Sequence, residues 1–119
     1  MKDRLIVAID TPDFARAAEL VIALASHVGM FKFGSVFFTA NGPDTIRRLV
    51  HATREPLPFM LDLKWHDIPA TVEASVRASL PLLPRIVTVH ASGGRDMVWT
   101  AAKATHTMPT LLRKSRFPR

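Results

Sequence analysis

Asp62, Lys64 and Asp67 follow one another closely at the end of an apolar run. Side chains alternate along an extended chain, so in the run 59–64 Met60, Asp62 and Lys64 share a face. Asp62 and Lys64 are then neighbours at its C-terminal end, and Asp67 lies in the turn beyond. Three other apolar runs finish in the same way: the first in Asp10, the second with Lys32 just before Gly34, the fourth in His90. Lys32, Asp62, Lys64 and Asp67 make an alternating array of charge. Burying one such group alone costs several kcal/mol, and an alternating array supplies the compensating partners. An ammonium held beside fixed carboxylates can stabilise developing negative charge and can deliver a proton to a carbanion.

Elements that could position such an array are legible around it. Residues 5–10, 30–34, 59–64 and 85–90 are rich in β-branched or aromatic side chains and read as strands. Their starts recur at a spacing of roughly 25–29 residues, as in successive βα units. The intervening segments read as helices. Residues 13–26 carry an apolar stripe of Phe14, Ala17, Ala18, Val21, Ile22 and Ala25, with Pro12 suited to the first turn and Gly29 to the stop. Residues 43–53 begin with Pro43 after Asn41-Gly42. Residues 70–80 follow Pro69 and stop before Pro81, and residues 94–104 follow Ser92-Gly93. Strand-helix alternation predicts parallel strands with right-handed crossovers, buried on both faces. Four βα units of an α/β fold result, with their ionisable groups at the C-terminal edge where such folds place active sites.

Bland readings compete for the same residues. Taken singly, Asp10, Lys32 and His90 read as solvated charges at strand ends, and His90 reads equally well as a satisfied core histidine. His66 caps or packs; His27, His51 and His106 face solvent. Ser92-Gly93-Gly94 could form a phosphate nest, but a tight βα turn accounts for it. Phe31, Phe33, Phe37, Phe38 and Trp65 read as packing residues. The coincidence of charges at four strand ends lifts the group above these readings.

Bulk properties bound the rest. With 119 residues the chain is at most one domain, and with 48% hydrophobic and 22% charged residues it has an ordinary globular composition. No apolar run approaches the roughly 20 residues of a membrane span. The first apolar segment ends at Asp10, too early for a secretory leader. There are no cysteines, which removes disulfides and thiolate metal sites and fits a reducing, cytoplasmic setting. The net charge is +6, but Arg113, Lys114, Arg116 and Arg119 carry four of those charges, leaving +2 without them. The phenylalanines lie inside apolar runs rather than between basic residues, so the chain lacks the footprint of a nucleic-acid binder. Beyond residue 104 the pattern stops. Leu111-Leu112 could begin a fifth strand, but the basic residues after it end it, and residues 105–119 read as a tail outside the fold of 1–104.

The stretch Phe59-Met60-Leu61-Asp62-Leu63-Lys64-Trp65-His66-Asp67-Ile68-Pro69-Ala70-Thr71 closely resembles the signature of the orotidine 5′-phosphate decarboxylases, Asp-x-Lys-x-x-Asp-Ile-Pro with a threonine beyond. Ile6-Val7-Ala8-Ile9-Asp10, Phe31-Lys32-Phe33-Gly34 and Val87-Thr88-Val89-His90-Ala91-Ser92-Gly93-Gly94 agree in order and spacing, and Phe37-Phe38-Thr39 with Gly42-Pro43 looks like the bacterial branch. The resemblance covers about residues 4–104. It implies the first four βα units of a (β/α)8 barrel, a homodimer, and conversion of orotidine monophosphate to uridine monophosphate and CO2 in pyrimidine biosynthesis, without metal or organic cofactor. It further implies that Lys64 donates the proton to C6, that Asp62 faces the substrate carboxylate and that Lys32 joins the charge network and contacts the ribose. Asp67 would reach into a partner's site with Ile68 and Thr71, Asp10 would bind a ribose hydroxyl, and His90 would support the same face. The family's phosphate-gripping residues belong to the second half of the barrel, for which this sequence has no counterpart. Catalysis by this chain alone is therefore expected to be weak or absent.

Two further readings follow. Magnesium-dependent sugar-phosphate decarboxylases and aldolases of the same superfamily are similar around Asp-x-Lys-x-x-Asp, but they place a carboxylate where this chain has Lys32, and an ammonium there repels a hard cation. A fragment without catalysis could instead associate with another protein, or with itself, through open strand edges.

Overall fold

A computed structural model describes residues 2–106; the expected tail, including Leu111-Leu112, lies outside the described residues except at its first two positions. The strands are β1 (Ile6–Ala8), β2 (Met30–Gly34), β3 (Phe59–Trp65) and β4 (Ile86–Val89). The helices are α1 (Phe14–Leu24), α2 (Ser35–Asn41), α3 (Pro43–His51), α4 (Pro69–Ser79) and α5 (Arg95–Thr105). The strands form one sheet in sequential order, β1-β2-β3-β4. β1 with β2 and β2 with β3 are parallel, in a register that sets Ala8 beside Lys32, Lys32 beside Met60 and Gly34 beside Asp62. The N–H of Arg85 donates to the carbonyl of Phe59 and that of His90 to the carbonyl of Trp65, so β4 advances in the same direction as β3.

The chain divides into two compact units. Among the described residues, the first comprises those up to Lys64 with Leu82–Thr88, and the second comprises Trp65–Pro81 and those from Val89 to His106. In the first, one face of β2 and β3 is aromatic and aliphatic: Phe31, Phe33, Phe59 and Leu61 are buried with Phe37 of α2. Phe33 lies 5.2 Å from Phe37 and 6.0 Å edge-on from Phe59, centroid to centroid. Helix α3 contributes Ile46, Leu49 and Val50, one stripe at helical spacing, and α1 contributes Ala17 and Val21. Each fully buried large side chain contributes about 1.5–3 kcal/mol of transfer free energy. In the second unit α4 packs on α5 through Val72, Val76, Met97, Ala101 and Ala104, with Trp65 and Val89 against them.

The local signals acted in ways the spacing did not always predict. Helix α1 starts one residue after its cap, Asp13, whose Oδ1 accepts from the N–H groups of Ala15 and Arg16 at 2.9 and 3.2 Å; Pro12 precedes the cap rather than opening the first turn. The same helix stops at Leu24, well before Gly29. Gly29 serves a different need: a Cβ there would lie 2.7 Å from the Cα of Asp3, so the glycine permits a close backbone approach. Helix α2 follows β2 directly and was not foreseen. Strand β1 is shorter than the apolar run 5–10. The expectation of burial on both faces fails at the outer strands, where Leu5, Ile6 and Ile86 are exposed by 51%, 48% and 39%. Among the described residues no further strand lies beyond β1 or β4 to cover them.

Candidate active site

The strand register builds the site. Ala8, Lys32 and Met60 stand in one row across the sheet, and Gly34 and Asp62 stand in the next row toward the C-terminal edge. Lys32 therefore points up from beneath Gly34. A Cβ on Gly34 would lie 3.5 Å from Asp10 Oδ1 and 3.8 Å from Lys32 Nζ, so the glycine leaves the space in which these charges meet. Lys32 Nζ lies 3.4 Å from the Asp10 carboxylate and 3.6 Å from Asp62 Oδ2, and Lys64 Nζ donates to the same Oδ2 at 2.7 Å. The order across the face is Asp10, Lys32, Asp62, Lys64, alternating in sign.

Exposure is graded along this row. The Asp62 side chain is 10% exposed and that of Lys32 22%, whereas those of Asp10 and Lys64 are more than half exposed. The network is anchored from below and open to solvent at its ends. The hydrogen bond from Lys64 holds the Asp62 carboxyl below the usual carboxylate range against the opposing effect of burial; a hydrogen bond from Thr88 and the charges of Lys64 and Lys32 add to it. Asp62 is thus a fixed anion between two cations.

Two features of this unit had no counterpart in the sequence pattern. Lys64 has φ +50°, in the left-handed region, although it lies within β3. For a residue with a Cβ that conformation stores on the order of 1–3 kcal/mol and persists only when its surroundings hold it. Thr88 of β4 supplies part of that hold: its Oγ1 accepts from the Lys64 N–H at 3.0 Å and donates to Asp62 Oδ1 at 2.8 Å. In the sequence Thr88 is a β-branched residue in the run Ile86-Val87-Thr88-Val89, and such residues need no function to belong in a strand.

The remaining predicted residues lie in the second unit. Asp67 is exposed, and its Oδ1 accepts from the N–H of Ile68 at 2.7 Å. Ile68 is 66% exposed at the N-terminus of α4, and its carbonyl accepts from the N–H of Thr71, also exposed, at 3.1 Å. His90 is exposed rather than a core histidine, with its ring 5.2 Å from that of His66. Ala91–Gly93 form a single 3-10 turn, and Gly94 takes φ +94° before α5, a tight turn of the kind expected for Ser92-Gly93-Gly94. A groove of about 670 Å³ runs along the start of α5 beside Arg95 and Trp99, and none of the predicted site residues lines it. His27, His51 and His106 are exposed. Phe31, Phe33, Phe37 and Trp65 are in packing roles.

This arrangement has known counterparts. A family profile described as "Orotidine 5'-phosphate decarboxylase / HUMPS family" matches residues 3–112. Orotidine 5′-phosphate decarboxylases of Moorella thermoacetica and Rhodospirillum rubrum are each 44% identical, over 87% and 85% of this chain. The chain spans about 40% of the length of these curated relatives. Among solved structures, the orotidine 5′-phosphate decarboxylase of Pyrococcus horikoshii OT3 superposes with a TM-score of 0.76 at 28% identity, over 84% of this chain and 48% of that one. The Methanocaldococcus jannaschii orotidine 5′-monophosphate decarboxylase, complexed with inhibitor BMP, gives a TM-score of 0.78 at 25% identity, over 86% of this chain and 46% of that one. The four βα units are thus half of a decarboxylase barrel fold. With the profile matching nearly end to end, the chain belongs to the orotidine 5′-phosphate decarboxylase / HUMPS family.

Proposed function

We propose that this chain carries the proton-delivering part of an orotidine 5′-phosphate decarboxylase, which converts orotidine monophosphate to uridine monophosphate and CO2 in pyrimidine biosynthesis. The observation that carries the reading is the row Asp10, Lys32, Asp62, Lys64, with Lys64 Nζ 2.7 Å from Asp62 at the exposed end. When the C6–carboxylate bond breaks, its electron pair stays on C6 and CO2 departs. Lys64 stabilises that carbanion by charge and then transfers a proton from Nζ to C6. The ammonium is already fixed by Asp62, so little reorganisation is needed at the moment of reaction. Asp62 faces the substrate carboxylate, and Lys32 neutralises the anion beside it and reaches the ribose. Asp10, at the other exposed end, accepts from a ribose hydroxyl. Asp67, Ile68 and Thr71, exposed on the second unit, serve a partner's site in a cytoplasmic homodimer, and His90 supports the substrate face. No metal or organic cofactor takes part. The position of Lys32 Nζ between two carboxylates favours this over the magnesium-dependent members of the superfamily, because an ammonium already occupies the place a cation would take.

Decarboxylation of orotidine monophosphate by the purified chain, with Lys64→Ala as control, tests this reading alongside NMR titration with BMP. Turnover above the control shows that four units suffice. Absent turnover, with BMP shifting the signals of Lys32 and Lys64, is the expected result for a site lacking its phosphate grip. The absence of both turnover and BMP binding overturns the reading, as does turnover that a magnesium chelator abolishes.

A further inference from the structure

We propose that Thr88 is a positioning residue that sets the direction of the Lys64 ammonium by holding both ends of that residue through one hydroxyl. The backbone end is held directly, since the Lys64 N–H donates to Thr88 Oγ1 at 3.0 Å. The ammonium end is held through Asp62: Thr88 donates to Oδ1 at 2.8 Å, and Lys64 Nζ donates to Oδ2 at 2.7 Å. Donating to one oxygen fixes the plane of the carboxylate, and that plane decides where the other oxygen offers its lone pairs.

The backbone contact carries the greater weight. At φ +50° the Cα–Cβ bond of Lys64 leaves the strand in a direction that regular extended backbone does not allow. Its amide is satisfied by a side chain rather than by a carbonyl of the neighbouring strand. A group in this place must accept from the amide and donate to the carboxylate together, which a hydroxyl does and an alkyl group cannot. The β-branched side chain is also stiff at χ1, so the hydroxyl is held on station. Neither Asp62 nor Lys32 contacts the Lys64 backbone in this way, so their charges alone leave its conformation unset.

The role rests on Lys64 being the proton donor, but the test does not depend on turnover. Thr88→Val and Thr88→Ser are compared with the wild-type chain by two NMR measurements: the carboxyl ¹³C titration of Asp62 and hydrogen exchange at the Lys64 amide. In Thr88→Val the Asp62 midpoint is expected to rise toward the ordinary carboxylate value, and the Lys64 amide to exchange on the order of tenfold faster or more. Thr88→Ser restores both, which general loosening of β4 would not produce. A folded Thr88→Val with an unchanged Asp62 midpoint and amide overturns the proposal. Should the valine variant not fold, exchange at the wild-type Lys64 amide as fast as at an open loop amide overturns it equally. The expected titration in a chain that neither decarboxylates nor binds BMP supports Thr88 as a positioning residue and counts against the decarboxylase reading alone.

Discussion

At the residue scale, Asp62 is the hinge of the charge row, because it is the most buried member and touches both lysines. Its carboxyl titrates below its ordinary value, so the stability it contributes is present above about pH 4 and is lost as pH falls through the lowered value. Acid unfolding followed by circular dichroism should therefore show a steeper loss below pH ~4 in the wild type than in Asp62→Asn, in which that group no longer titrates. Lys64→Ala is expected to abolish any decarboxylation, a drop of at least about a thousandfold in kcat where turnover is measurable. It also leaves Asp62 with fewer cationic partners, and its ¹³C titration should then move upward. Of this cluster, Asp10, Lys32, Asp62 and Lys64 were legible because strand alternation puts chemistry-bearing residues on one face. Thr88 was not, since its part depends on the pairing of β3 with β4, which no periodicity within one strand reveals. Nor was the left-handed turn at Lys64, which a lysine does not announce as a glycine would.

At the element scale, among the described residues the strands and four of the five α-helices follow from apolar runs punctuated by proline and glycine. Helix α2 escaped because no loop separates it from β2: Gly34 closes the strand and Ser35 opens the helix. Its Phe37-Phe38 pair also reads as readily in an extended segment. Gly29 was misread for the complementary reason, a glycine near a helix end serving a contact with Asp3 rather than the cap. The α4–α5 pair offers a direct check on packing. Met97 is fully buried between Val72, Val76 and Ala101, and Met97→Ala should cost about 2–5 kcal/mol, measured by urea unfolding. Asp13→Ala removes the acceptor for two orphan amides of α1 and should cost about 1 kcal/mol in the same assay.

At the scale of the whole molecule, the sheet of the described residues has β1 and β4 as its outer strands. Leu5 and Ile6 lie exposed at one edge and Ile86 at the other, each with apolar surface that a neighbouring strand would cover in a closed barrel. Sedimentation velocity of the 119-residue chain should show association that grows with concentration, and Ile6→Lys should reduce it. A single discrete dimer would point to a family interface, and a broad distribution to pairing between bare edges.

The contacts around Asp62 also have a polarity. The Lys64 N–H points to Thr88, the Thr88 hydroxyl points to Oδ1, and the ammonium points to Oδ2. The three hydrogen bonds run in one sense and converge on a single carboxylate, which only accepts. Replacing Asp62 with asparagine conserves shape but reverses one arrow. If the new amide turns its oxygen to the lysines, its NH₂ can donate to the second lone pair of the Thr88 hydroxyl, but the hydroxyl proton loses the acceptor it had. If it turns the other way, its NH₂ confronts an ammonium. The site thus has room for a neutral residue of the same size, but either orientation leaves one donor of the wild-type circuit without its acceptor.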